Sequence, residues 1–260
     1  MSLVKVGAIV LAGAPASVEM DPEGKLSSRA MVEINGKTML QYVVDALRGA
    51  ETVEEIVAIG NVSANGLDKV LEPAGSMVDN INRAIPAVGG GDSVLVVCAD
   101  IPLLTSQAVD DFVRRAAELK ADLVYPIVDK SSCQGEYANM KRTFVKTGDG
   151  CFTGGNITLV KRDFYTNHAD AIARAFAARK KPLALAGMIG YGVLLRFIVG
   201  QMFPSVLKVS ILEEAVGRIL GARLKALITN FAEIGEDVDK EKDIEAVRNI
   251  IDKRTALLGN

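Results

Sequence analysis

The sequence predicts an α/β fold, a mostly parallel, doubly wound sheet with helices on both faces, and three features carry that prediction. Val6 to Leu11 is an unbroken apolar run closed by Gly13, as in a strand covered on both faces. "EEIVAIG" (54–60), "SVLVVCAD" (93–100) and "ADLVYPIV" (121–128) repeat that pattern, with helical periodicity between them. Alternation of this kind implies right-handed crossovers between parallel strands. The 260 residues, 49% of them hydrophobic, suffice for one substantial domain with a subsidiary lobe.

The first strand opens into a loop running from Ala12 to about Met31, several times longer than the usual 2 to about 6 residues of a strand-to-helix connection. A loop of that length is expected to hold something, and a phosphate is the first candidate. Thr38 then caps a helix whose Met39, Tyr42, Val43, Ala46 and Leu47 recur at helical spacing. Further helices are expected from about Ser76 and from Thr105. Beyond Val128 the Gly, Thr and aromatic content of "YANMKRTFVKTGDGCFTGGNITLVKRDFY" indicates irregular strands and loops, followed by a helix over Ala169–Ala178. "RLKALIT" reads as a strand and "GEDVDKEKDIEAVRNIID" as a loop and amphipathic helix. The expected organisation is a single domain over 1–260: a first half (1–130), a small lobe (131–180), an apolar helical insertion (181–225) and a C-terminal strand and helix (226–260).

Composition excludes several functions. A formal charge of −2 and the lack of a Lys/Arg run argue against nucleic acid as a partner. Cys98, Cys133 and Cys151 are scattered and odd in number, which suits a reducing compartment, and the N-terminus shows no leader pattern, so the expected location is cytoplasmic. Between Pro182 and Leu207 the only charge is Arg196, and the 14 uncharged residues before it contain three glycines, short of the roughly 20 that cross a bilayer. A buried helix pair or a homodimer interface is expected there, with a membrane-surface contact as the alternative. His168, in "TNHAD", is expected at a helix start or on the surface.

In an open α/β sheet, ligands sit beyond the carboxyl ends of the strands, so the first loop and Asp100 should converge. Gly13, Gly24 and small neighbours allow backbone N–H groups to cradle phosphate, with Lys25 and Arg29 supplying positive charge. Asp100, at a strand tip and followed by Ile101-Pro102, presents a carboxylate suited to Mg2+, which keeps positions for water and substrate phosphates.

In order along the chain, "AIVLAGA", "RAMVEINGKTMLQYVVDAL", "CADIPLLT", "TGGN" and "DVDKEKDI" resemble the nucleotidyltransferases of Rossmann-like, GT-A-like fold, in particular the branch of molybdenum cofactor guanylyltransferase. The resemblance spans about residues 4 to 130 and the last 30, and no motif covers 180–225. It implies that the backbone of Leu11, Ala12, Gly13 and Ala14 holds a nucleoside triphosphate. Residues 1–130 would form the nucleotide-binding half and 131–180 the acceptor-side lobe, with Gly75 and Ser76 near the base or ribose. Arg29 and Asp100 would act in catalysis, with Lys25 of this chain's longer loop standing in as a further positive charge. Mg2+ would be held by Asp100 with Asp237 or Asp239, and Thr153, Gly154, Gly155 and Asn156 would border a small phosphorylated acceptor. The reaction implied is transfer of a nucleoside monophosphate with release of pyrophosphate.

The usual signature continues G-G-x-G-x-R, whereas this chain reads "GAPASVEM". Pro15 removes a donor, and Arg29 stands where a lysine is usual, exchanging a point charge for a planar fork. The rival readings are therefore a nucleotide-binding or scaffolding protein of this fold with impaired turnover, or a nucleotide-sugar glycosyltransferase. Such a glycosyltransferase typically shows a D-x-D at the third or fourth strand end, where this chain has Asp100 followed by Ile101-Pro102, and a dinucleotide-dependent oxidoreductase would carry a G-x-x-G after Gly13, which is missing.

Overall fold

The computed structural model describes residues 4–178, 188 and 190–258. The predicted strands form at β1 (Val6–Leu11), β4 (Val53–Ile59), β6 (Ser93–Cys98), β7 (Leu123–Asp129) and β11 (Leu224–Thr229). Three short strands absent from the sequence reading also form, β5 (Lys69–Leu71) in the main sheet and β2 (Glu33–Ile34) with β3 (Lys37–Thr38) as a separate hairpin, and β8 (Val145–Thr147) lies in the stretch read as irregular. The region expected to be irregular beyond Val128 also contains two regular antiparallel strands, β9 (Gly150–Gly154) and β10 (Ile157–Lys161).

Among the described residues the main sheet has nine strands in the order β5-β4-β1-β6-β10-β7-β9-β8, with β11 on the other edge of β7. β5, β4, β1 and β6 are parallel, β10 runs antiparallel between β6 and β7, and β11 is parallel to β7. β1 pairs with β4 on one side and with β6 on the other, so the chain reverses its winding there. A reversal of winding opens a crevice at the carboxyl ends of the two strands, where the first loop and Asp100 lie.

Helices cover both faces. On one face, α1 (Met39–Gly49) and α3 (Ser106–Glu118) bury Leu40, Val43, Leu47, Val109, Phe112 and Val113 against Ala8, Val10, Leu95 and Val97. Each begins at a threonine whose hydroxyl accepts a backbone N–H, Gln41 to Thr38 (3.1 Å) and Ala108 to Thr105 (3.2 Å), worth about 1 kcal/mol apiece. On the other face lie α2 (Met77–Ala84), α4 (Arg162–Asn167), α5 (Ala169–Ala178) and α7 (Val209–Leu220), with Ile9, Val57, Val94 and Val96 beneath them, while α6 (Tyr191–Gly200) packs on α7 and the Pro204–Val206 turn. His168 caps α4, its ring Nδ1 2.9 Å from the Phe164 carbonyl.

The last helix, α8 (Glu241–Leu258), closes a smaller core. Its Ile244, Val247 and Ile250 pack with Ile34, Met39, Leu103, Tyr137 and Val238. The turn joining β2 to β3 explains how "INGK" makes a hairpin: Asn35 and Gly36 both have positive φ, 54° and 75°, as a two-residue hairpin turn requires. Val238 is buried with Ile34 of this hairpin and with Ile244 and Val247 of α8.

Of the apolar stretch 182–207, residues 182–187 and 189 lie outside the described residues, as do 179–181 of the adjoining segment. Within the described part, the expectation of a buried helix pair fails. Leu195 and Ile198 of α6 and Met202 and Phe203 just after it are 59–79% exposed, since α6 packs chiefly on α7 and the Pro204–Val206 turn.

Candidate active site

Beyond the tip of β1 the chain is pinned from below. Ala12 N–H donates to Ile59 O (3.0 Å), and Gly60 passes so close that a side chain there would meet Ala12 O at 2.7 Å. Ser28, fully buried, returns the loop by donating its hydroxyl to Ala12 O and Ala14 O, and Arg29 N–H donates to Ala14 O (2.8 Å). The loop is thus clamped at both ends, while the N–H groups of Gly13 and Ala14 meet no protein acceptor among the described residues. A Cβ on Gly13 would find only ordinary contacts, 3.8 Å to Asn80 Nδ2, so packing alone does not require glycine there.

Arg29 is carried by this clamp into the crevice. Its guanidinium pairs with Asp100 Oδ2 at 2.7 Å and with Asp239 Oδ1. Asp100 Oδ1 and Arg29 Nε are buried without a hydrogen-bond partner among the described residues. Burial pushes the Asp100 carboxyl up to about 6, against the pull of Arg29 and with the help of Asp237 and Asp239. The C-terminal segment is tied to the same point, since Val238 N–H donates to Asp100 O (2.8 Å). A cleft of about 10 Å³, lined by Ala12, Ala14, Arg29 and Asp100 among others, has room for about one water-sized atom.

Beside this cluster is a second one built on Arg142, which the sequence reading does not single out. Its guanidinium donates to Glu236 Oε2 (3.0 Å), Asp237 Oδ1 (2.6 Å) and Asp237 O (2.9 Å). Glu236 is wholly buried, and burial raises its carboxyl and that of Asp237 above the ordinary range although Arg142 opposes the shift. No signal in "ANMKRTF" marks Arg142; only the fold brings it to residues 236 and 237.

The expected residues are therefore not all assembled in one place. Leu11, Ala12, Gly13, Ala14, Arg29 and Asp100 meet in the crevice, with Asp239 bound through Arg29 and Asp237 held by Arg142. Lys25 is not brought in: it pairs with Glu23 on the exposed part of the loop, whose turn is held by Asp21 accepting from Lys25 N–H (3.0 Å) and Leu26 N–H (2.7 Å). Gly75 takes φ 123°, and Ser76 and Asp79 form a reciprocal cap at the start of α2. At Thr153–Asn156 the glycines serve packing, since a Cβ on Gly155 would meet Ile234 Cγ2 at 2.7 Å and one on Gly154 would overlap Tyr125 Oη. Asn156 N–H donates to Ile234 O (2.8 Å), and its carbonyl accepts from Cys98 N–H (2.9 Å).

Among the described residues no group of three or more His, Cys, Asp or Glu is placed to hold a metal ion unaided. The carboxylates here are instead paired with arginines, Asp100 and Asp239 with Arg29 and Glu236 and Asp237 with Arg142. A divalent ion arriving with a polyphosphate needs fewer protein ligands, and the buried, unpartnered Asp100 Oδ1 is suited to be one.

Comparison with known proteins bears on the fold and the family. A hypothetical transferase from Thermus thermophilus has a TM-score of 0.83 and 34% identity, over 93% of this chain and all of its own. Two neighbours at 14% identity share the fold. They are 2-C-methyl-D-erythritol 4-phosphate cytidylyltransferase, also from Thermus thermophilus (TM-score 0.55, covering 96% of this chain and 100% of that one), and CMP:2-keto-3-deoxy-manno-octonic acid synthetase complexed with CTP (0.57, 96% and 99%). The bifunctional protein GlmU of Exiguobacterium sibiricum is 32% identical over 101 residues, 34% of this chain and 22% of that protein's own length. Residues 8–223 match the MobA-like NTP transferase domain, and the chain belongs to that family.

Proposed function

We propose that this protein transfers a nucleoside monophosphate from a nucleoside triphosphate to a phosphorylated acceptor, releasing pyrophosphate. One observation carries the reading: Arg29 spans Asp100 and Asp239 beneath a loop that presents free N–H groups, at the carboxyl ends of β1 and β6. The Gly13 and Ala14 amides would hold the triphosphate, and Arg29 would offset charge building on the departing pyrophosphate. Asp100, with Asp239 or Asp237, would hold Mg2+, which when bound neutralises charge on the reacting phosphate. An acceptor phosphate is already anionic at neutral pH, so the chain needs no general base, and alignment of the two phosphates is its main contribution.

The resemblance to molybdenum cofactor guanylyltransferase supports GTP as the first donor to try. The experiment is pyrophosphate release from each of the four ribonucleoside triphosphates with Mg2+ and a set of phosphorylated acceptors. Turnover with one pair, lost on chelation and in Asp100→Asn, is the expected result. Nucleotide binding with no pyrophosphate release from any acceptor would instead favour the impaired-turnover reading, for which Ala14 and Pro15 are the specific support.

A further inference from the structure

The sheet face that carries α7 is not filled. A cavity of about 440 Å³ lies between that helix and strands β7, β9 and β11, walled by Ile127, Phe152, Leu212, Val216 and Ala226. A second, of about 460 Å³, adjoins it and reaches Leu11, Cys98 and Asn156 at the strand ends. Leu123 and Tyr125 stand in the walls of both. Each volume is in the range of small-molecule pockets, about 300–1,000 Å³, and far above the voids of a packed core. In the first wall Glu213 is engaged by Lys225 (2.6 Å) and the Ala226 N–H (2.8 Å), and the Thr147 hydroxyl by Gly150 O (3.0 Å). Apart from the hydroxyls of Tyr125 and Thr153, what remains to be covered is apolar.

The outer end of that cavity is formed by Val145 and Thr147 of β8, against which the Pro204–Val206 turn packs. Gly148 N–H donates to Leu207 O (2.7 Å), fixing the turn in place. Here Leu195, Ile198, Met202, Phe203 and Val206 are exposed, and exposed Lys146, Arg196 and Lys208 accompany them. Asp149 beside them is engaged by the Val209 N–H (2.7 Å). An apolar patch attended by cations matches a membrane surface carrying anionic headgroups. Among the described residues no helix is long and apolar enough to cross a membrane, so the contact would be made from one side.

We propose that the acceptor is a phosphate monoester borne on a long apolar chain and taken from a membrane surface. The chain lies in the cavity beneath α7, and the phosphate end passes Tyr125 and Gly154 toward Asp100. Its phosphate oxygen forms a bond to the α-phosphorus, the bond from that phosphorus to the bridging oxygen breaks, and pyrophosphate leaves with the electron pair. The phosphate end rests on the transferase reading; the chain site and the surface contact do not.

Both are therefore tested without nucleotide. Calorimetric titration with n-alkyl phosphates from butyl to decyl, below their micelle concentrations and with Mg2+, should show affinity rising about fourfold per methylene, about four thousandfold across the six added methylenes. Val216→Phe and Ala226→Leu, which narrow the cavity from a helix and from a strand, should each weaken decyl phosphate tenfold or more and leave butyl phosphate unchanged. In flotation, the protein should rise with vesicles of phosphatidylcholine and phosphatidylglycerol, and Ile198→Ser/Phe203→Ser should stay behind. Equal affinity for butyl and decyl phosphates, or decyl binding indifferent to both narrowing variants in their folded form, would overturn the chain site. Absence from the vesicles, or a dimer in sedimentation that hides the patch, would overturn the surface contact. Failure to bind any nucleoside triphosphate would refute the transferase reading and leave these results standing.

Discussion

Removing Arg142 tests whether the acid-bearing C-terminal segment is held as described. In Arg142→Ala, Glu236, a carboxylate with no exposed surface, loses the guanidinium that offsets its charge and keeps only the neutral Cys133 thiol beside it, and Asp237 loses both a 2.6 Å ion pair and the bond to its carbonyl. Breaking a buried pair from one side leaves an uncompensated charge, which costs about 3–5 kcal/mol. For a chain of this size, with about 2–4 °C per kcal/mol, the thermal midpoint should fall by roughly 6–20 °C at neutral pH. The sign of the pH dependence is also determined. Burial already raises the Glu236 carboxyl, and losing Arg142 removes the main opposing charge, so the folded-state value rises further. An acid with a raised folded value is most favourable when protonated, so the deficit should shrink as pH falls toward the ordinary carboxylate range. Adding Glu236→Gln removes the stranded charge and should recover much of the loss. Circular dichroism melts of the single and double variants decide the matter; a midpoint within about 2 °C of the unaltered protein, or a deficit that grows in acid, would refute the reasoning.

Three further outcomes follow from the same structure. Asp110 is buried in α3 and accepts from Thr52 N–H (2.8 Å) and Glu51 N–H (3.1 Å); although burial pushes the other way, these bonds hold its carboxyl below the ordinary value. Asp110→Ala should therefore cost about 1–3 kcal/mol in denaturant melts at neutral pH, and the difference should vanish in acid as pH falls through that depressed value. Gly155→Val should lose about 1–3 kcal/mol or more through overlap with Ile234 and Pro126, read in the same melts. Arg29→Lys keeps the charge but cannot span Asp100 and Asp239 with one planar fork, so turnover should fall at least tenfold while the melting midpoint moves by only a few degrees.

Much of this architecture is legible because it is local. The apolar runs at 6–11, 93–98 and 123–129 and the caps at Thr38, Ser76 and Thr105 depend on neighbours a few residues away. The antiparallel strands β9 and β10 are harder to read because the two glycines between them look like loop, whereas close packing against Tyr125 and Pro126 is what demands them. Among the site residues, Asp100 and Arg29 can be placed from strand ends and order along the chain. Arg142 and Glu236 cannot, since they are 94 residues apart and meet only through the fold. The charge of Lys25 suggests a place in the site, but the Asp21 turn and the pair with Glu23 direct it elsewhere.

The measurement closest to the central claim is the thermal midpoint of the pure protein with Mg2+ and each ribonucleoside triphosphate in turn. A ligand that binds only the folded state at a hundred times its dissociation constant adds about 2.7 kcal/mol, or roughly 5–11 °C for a chain of this length. One nucleotide should produce such a shift, and Asp100→Asn should abolish it. No shift with any of the four, or an undiminished shift in Asp100→Asn, would contradict a triphosphate site at the ends of β1 and β6.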